Sequence, residues 1–154
     1  MLGIALADLK MRTFYYLAYG SNLNRAHMAQ RCGAAQPVGW CLLQDWQLCF
    51  RYWADVQPAP GCHVYGGLYR ITPGCEKALD LYEEFPSLYD KRYTTVEAHL
   101  YEQPIQPLPV MFYCMRGGAY QAPDAAYLAE ITQGMIDFNF PLDALQRAAG
   151  LSLS

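Results

Sequence analysis

Two hydrophobic periods alternate along the chain, and their order predicts its elements. Residues 14–19, Phe-Tyr-Tyr-Leu-Ala-Tyr, are a short aromatic and apolar run that reads as a buried strand. Residues 24–31 have the length of a two-turn helix, with Asn22 or Asn24 as N-cap and Gly33 just beyond the end. Residues 38–43 and 46–52 read as two strands joined around Gln44 and Asp45. Residues 54–62, with Pro58, Pro60 and Gly61, read as a proline-rich loop. The next strand, 63–71, contains Gly66-Gly67, which predicts a bulge or a close backbone approach.

Residues 73–82 change to the helical period. Pro73 suits a first turn, and Cys75, Ala78, Leu79 and Tyr82 form an apolar stripe. Residues 92–101 alternate, with Thr94, Val96, Ala98 and Leu100 on one face and Thr95, Glu97 and His99 on the other. A turn-rich connector at 104–109 leads to a strand at 110–115. A helix over 123–138 aligns Tyr127, Ile131, Met135 and Phe138, and Pro141 opens a final short helix ending near Gly150. Strands and helices mix without a regular βαβ repeat. The pattern predicts an α+β fold in which helices pack outside a curved or closed mixed sheet.

Length and charge narrow this picture. The 154 residues suit one domain, read as 12–154, while residues 1–11 read as a tail or a misassigned start. A net charge of −3 with scattered Lys and Arg gives no footprint for nucleic acid. No apolar stretch approaches the length of a membrane span. The six cysteines, at 32, 41, 49, 62, 75 and 114, form no Cys-x-x-Cys and no zinc spacing, and they predict free thiols in a cytoplasmic protein. His27, His63 and His99 are isolated in sequence, so no metal site is expected.

Candidate chemistry gathers in two segments. In the first, the strand Tyr15-Tyr16-Leu17-Ala18-Tyr19 runs directly into Gly20-Ser21-Asn22 and then a helix. Glycine admits a ligand close to the main chain, and the first helical amides lack internal partners. Such a turn suits a carboxylate or an oxyanion; it also reads as an ordinary strand-to-helix turn. In the second, the helix ends in Glu83-Glu84 beside Tyr82, Phe85 and Tyr89. A carboxylate turned in among these aromatics is partly desolvated, which raises its pKa toward that of a usable base; the pair also reads as a solvated acidic helix end. Periodicity does not say which of the two glutamates turns inward. Tyr127 opens a core helix and brings a hydroxyl to the edge of an apolar wall.

Over roughly residues 14–148 these pieces together resemble the γ-glutamylcyclotransferase family. They are Tyr19-Gly20-Ser21-Asn22, the strand at 63–71 with its following helix, Leu79-Asp80-x-x-Glu83, Tyr89, and Pro123-x-x-x-Tyr127-x-x-x-Ile131-x-x-Gly134. The resemblance implies a small mixed β-barrel with flanking helices. It also implies release of 5-oxoproline from a small γ-glutamyl substrate without metal or organic cofactor. It carries the catalytic acid/base role to Glu83 and substrate binding to Tyr19, Gly20, Ser21, Asn22, Tyr89 and Tyr127. Two features depart from one branch of the family. Glu84 stands where many members have glycine, and residues 83–89 look more like the γ-glutamylamine cyclotransferase branch, whereas Tyr-Gly-Ser-Asn points to the other. The leaving group and the oligomeric state are therefore open. A non-catalytic binder of small carboxylates using the same pocket is the alternative, and a structural protein with a decayed site is a third reading.

Overall fold

The computed structural model describes residues 14–153. The expected tail at 1–11 lies outside the described residues. Five strands close into a barrel: β1 (Phe14–Ala18), β2 (Gln36–Arg51), β3 (Trp53–Ile71), β4 (Tyr89–Leu100) and β5 (Gln106–Met115), in spatial order β1-β3-β2-β4-β5. All neighbours are antiparallel except β1 and β5, which meet in parallel through Tyr16 and Met111 and complete the circle. Closure removes the exposed sheet edge that an open five-stranded sheet would carry. Four helices flank it: α1 (Arg25–Arg31), α2 (Pro73–Tyr82), α3 (Ala125–Asp137) and α4 (Asp143–Leu153). The α+β barrel expected above is the fold observed.

The barrel is filled by side chains. Leu17, Phe50, Val56, Leu68, Tyr69, Met111 and Phe112 are buried in one continuous core with Ile131 of α3. Each buried side chain of this size contributes roughly 1.5–3 kcal/mol.

The two strands expected at 38–43 and 46–52 are one strand, β2, and the proline-rich stretch at 54–62 is strand rather than loop. The reason is a long β2–β3 hairpin with an irregularity in its middle. Pairing runs from Arg51↔Trp53 to Trp46↔Pro58, then resumes at Gln44↔His63. Asp45 adopts φ 67°, and its Oδ1 accepts the Gly61 amide at 3.0 Å. The prolines thus sit beside the register shift, where a lost ladder donor is tolerated. The connector at 104–109 likewise becomes strand from Gln106. Of the face expected to hold Thr94, Val96, Ala98 and Leu100, the last three are buried and Thr94 is exposed.

Close approach explains two sets of glycines. A Cβ at Gly66 would lie 2.7 Å from Leu17, and one at Gly67 would lie 2.7 Å from Phe138. Gly134 lets α3 press on the turn that follows β1, since a Cβ there would fall 2.5 Å from the backbone of Leu23 and Asn24.

The cysteine expectation needs correction. Cys32 and Cys75 form a disulfide, with Cα atoms 5.5 Å apart, and cross-link α1 to α2. Cys41, Cys49 and Cys114 are free and buried, and Cys62 is free and half-buried. The two bonded cysteines are 43 residues apart and meet only because the fold brings the end of α1 against the first turn of α2. Such a bond belongs to oxidising compartments, so the cytoplasmic expectation loses its support from the thiols.

Candidate active site

β1 ends at Ala18, and the chain turns through Tyr19 and Gly20 into a single 3-10 turn, Ser21–Leu23. Leu23 and Asn24 donate their amides to the Gly20 and Ser21 carbonyls at 3.0 and 3.1 Å, which closes the turn without using the amides of Ser21 and Asn22. The helix α1 starts one residue later. Asn24 is its N-cap, and its side chain accepts the His27 amide at 3.1 Å. Any anion-holding amides are therefore those of the turn, because Asn24 already satisfies the helix start.

On the facing side, Thr72 caps α2 through the Cys75 amide, and the helix runs out at Tyr82. The chain then bends sharply. Glu83 keeps helical angles, whereas Glu84 takes φ 53°, a left-handed conformation that favours glycine. The bend turns Glu83 inward and leaves Glu84 exposed.

Between the two segments lies a cavity of about 220 Å³. Gly20, Ser21 and Asn22 form one wall and Glu83 and Glu84 another. Tyr19, Tyr89 and Tyr127 also line it, so every site residue expected from the sequence borders the same space. Tyr16, Trp53, Ala54, Tyr82, Leu88 and Tyr113 complete the lining. Sequence reasoning missed these. Tyr16 and Tyr113 read as ordinary strand positions, and Ala54 fell in an expected loop.

The hydroxyls of the lining are largely committed to holding the walls. Tyr19 donates to the Tyr113 carbonyl at 2.7 Å, and Tyr89 donates to the Ala54 carbonyl at 2.6 Å. The Ala54 amide donates to the Tyr127 hydroxyl at 3.0 Å, and Tyr113 donates to Asp80 at 2.6 Å. Burial pushes the phenols of Tyr16, Tyr19, Tyr89, Tyr113 and Tyr127 well above their ordinary value, so all stay neutral.

Glu83 and Asn22 meet at the centre. Asn22 Nδ2 donates to the Tyr16 hydroxyl at 2.9 Å and to Glu83 Oε1 at 3.3 Å. Asn22 Oδ1 is buried without a partner among the described residues. Burial raises the Glu83 carboxyl from 4.5 to about 7, with the charge of Arg31 opposing that rise. No cluster of three or more His, Cys, Asp or Glu suited to a metal ion occurs among the described residues.

A family model described as "Gamma-glutamyl cyclotransferase, AIG2-like" matches residues 16–134, from the strand that floors the cavity to the α3 glycine that packs on its loop. The chain belongs to this family. Solved structures of the same fold include a protein described as gamma-glutamyl cyclotransferase, with TM-score 0.77 and 23% identity over 89% of this chain and 86% of that one. An uncharacterized protein from Homo sapiens, loc79017, is similar at TM-score 0.77 and 23% identity, over 88% of this chain and 86% of that one. YkqA from Bacillus subtilis reaches TM-score 0.74 and 25% identity over 93% of this chain, which spans 55% of that protein. No curated protein matches by sequence. Members of the gamma-glutamyl cyclotransferase, AIG2-like family share this barrel, and none of the helices described here is long and apolar enough to cross a membrane.

Proposed function

We propose that this protein releases 5-oxoproline from a γ-glutamyl compound, with Glu83 as general acid and base. One observation carries the reading. Glu83, with its carboxyl raised to about 7, hydrogen-bonds Asn22 of the Gly20–Ser21–Asn22 turn inside one cavity.

The chemistry follows from that pairing. The substrate's α-amine is mostly protonated near neutral pH and cannot attack. Glu83 takes one of its protons. The freed amine attacks the γ-carbonyl carbon and forms the ring C–N bond. The bond to the leaving nitrogen breaks as that nitrogen receives the proton from Glu83, and the ring nitrogen loses its second proton to water. A carboxyl titrating near 7 suits both halves, since it accepts and returns the proton at similar cost. This sequence draws on no metal or organic cofactor.

Asn22 Oδ1 supplies a second argument. A buried acceptor without a partner costs roughly 1–3 kcal/mol. An N–H donor of the substrate beside Glu83 relieves that cost. The amides of Ser21 and Asn22 hold the substrate carboxylate or the oxygen that gains charge at the γ-carbon. Gly20 keeps this wall open to the ligand. Tyr19, Tyr89 and Tyr127, whose hydroxyls serve protein groups, offer ring faces that fold the substrate into its ring-forming shape.

The test is release of 5-oxoproline across γ-glutamyl amino acids and γ-glutamylamines. Glu83→Gln is expected to lower turnover by about 10²–10⁴-fold, the usual worth of general acid–base help. Equal release by the variant overturns the mechanism. Thermal stabilisation by glutamate or 5-oxoproline with no turnover of any substrate would instead establish the carboxylate-binding alternative.

A further inference from the structure

Behind the cavity wall, α1, α2 and α3 meet at one guanidinium. Arg31 closes α1, does not line the cavity, and its side chain is only 16% exposed. Its Nη2 donates to the Tyr82 hydroxyl at 2.6 Å and to Glu130 Oε1 at 3.0 Å, and its Cζ lies 3.8 Å above the Tyr82 ring. The Tyr82 hydroxyl lies 3.1 Å from Ser21 Oγ. This chain of contacts runs from α3 through α1 and α2 to the turn that walls the cavity.

Arg31 anchors that chain at its first link. Arg donates and never accepts. The Tyr82 oxygen therefore accepts a hydrogen bond from Arg31, and the same hydroxyl meets Ser21 Oγ. Without Arg31, the Tyr82 side chain loses both the donor and the stacked cation that hold its hydroxyl against Ser21.

Resting on the reaction proposed above, we infer that Arg31 is a positioning residue that both holds the Tyr82–Ser21 hydroxyl contact and sets the charge of the wall formed by Ser21, Tyr82 and Glu83. The groups facing Glu83 support the second half. β1 presents Tyr16, the turn after it Tyr19, β4 Tyr89, β5 Tyr113, and α3 Tyr127, all neutral phenols. Tyr82 and Glu84 flank it in sequence and border the same cavity. Asp80, behind Tyr113, pairs with Lys91. Glu130 is held by Arg31 and His27. Arg31 supplies the positive charge that favours ionised Glu83 against burial.

The test follows the Glu83 carboxyl by 13C NMR across pH in the full chain, with Glu83→Gln assigning the signal. Alongside it runs the pH profile of 5-oxoproline release. Arg31→Met keeps bulk on the Tyr82 ring and removes the charge; it is expected to move the titration midpoint and the acid limb of kcat/KM upward. Activity near neutral pH then falls several-fold and recovers as the pH is raised. Arg31→Lys, which keeps the charge, is expected to restore the midpoint. Glu130→Gln, which frees the Arg31 charge, is expected to move it downward. Tyr82→Phe breaks the hydroxyl chain and leaves the charge, so KM rises while the midpoint stays. General damage to the fold does not produce opposite shifts in two variants. An unmoved midpoint in folded Arg31→Met, or in Glu130→Gln should Arg31→Met fail to fold, overturns the inference. Absence of 5-oxoproline from every substrate with wild-type protein overturns the proposed reaction instead, and the NMR midpoints still decide the role of Arg31.

Discussion

Glu83 and Glu84 are adjacent in sequence and opposite in environment. Burial holds the Glu83 proton to about 7 against an ordinary 4.5. The folded state therefore binds that proton more tightly than the unfolded chain, and stability falls as pH rises from about 4.5 to about 7. Glu83→Gln removes the cost. Its Tm is expected to match wild type near pH 4 and exceed it above neutral pH, by no more than about 3 kcal/mol in stability. Calorimetry at the two pH values checks this, and an equal shift at both contradicts it. Glu84 holds φ 53°, where a side chain costs roughly 1–2 kcal/mol relative to glycine. Glu84→Gly is expected to raise denaturation stability by about 1 kcal/mol. Despite that strain the chain keeps a carboxylate at the cavity rim.

At the scale of elements, the site depends on how closely α3 approaches the turn after β1. Gly134 makes that approach, with Leu23 and Asn24 backbone where its Cβ would be. Gly134→Ala forces two backbones apart. It is expected to cost about 1–3 kcal/mol of stability, as overpacking does, and to weaken ligand binding by shifting the turn. Retained affinity for 5-oxoproline in the variant would show that the turn keeps its place without α3. The second device is the α1–α2 cross-link. Cys32 ends α1 beside Arg31, and Cys75 opens α2. α2 ends at Tyr82 in the cavity wall, and the bond and the Arg31–Tyr82 stack clamp it to α1 at two points. Cys75→Ser is expected to lower stability by about 2–4 kcal/mol. Urea denaturation of wild type with and without a dithiol reductant gives the same comparison, and no difference would remove the bond from the stability of the fold.

For the whole molecule, several features were legible from residue order. Strand and helix periods placed most elements, because burial imposes period two or 3.6 on the apolar positions. Helix α2 is found at the residues expected, since Thr72, Pro73 and the Cys75–Leu79 stripe mark it locally. The Tyr19–Asn22, Glu83 and Tyr127 motifs pointed to a single family, and the family match over 16–134 agrees. Other features were decided only by tertiary structure, each because it joins segments far apart in sequence. The hairpin irregularity that turned 54–62 into strand depends on Asp45 reaching Gly61. The Cys32–Cys75 bond depends on the end of α1 meeting the start of α2. Tyr82 meets Ser21 across 61 residues and Tyr113 meets Tyr19 across 94, separations that no local period encodes. Which glutamate faces inward was also open at helical spacing, and the left-handed turn at Glu84 settled it by geometry. The sequence alone marked the Tyr19–Asn22 turn, Glu83, Tyr89 and Tyr127, because local patterning and turn chemistry act over a few residues. The folded barrel determined their protonation, their hydrogen-bond directions and their neighbours, because burial and charge act through space.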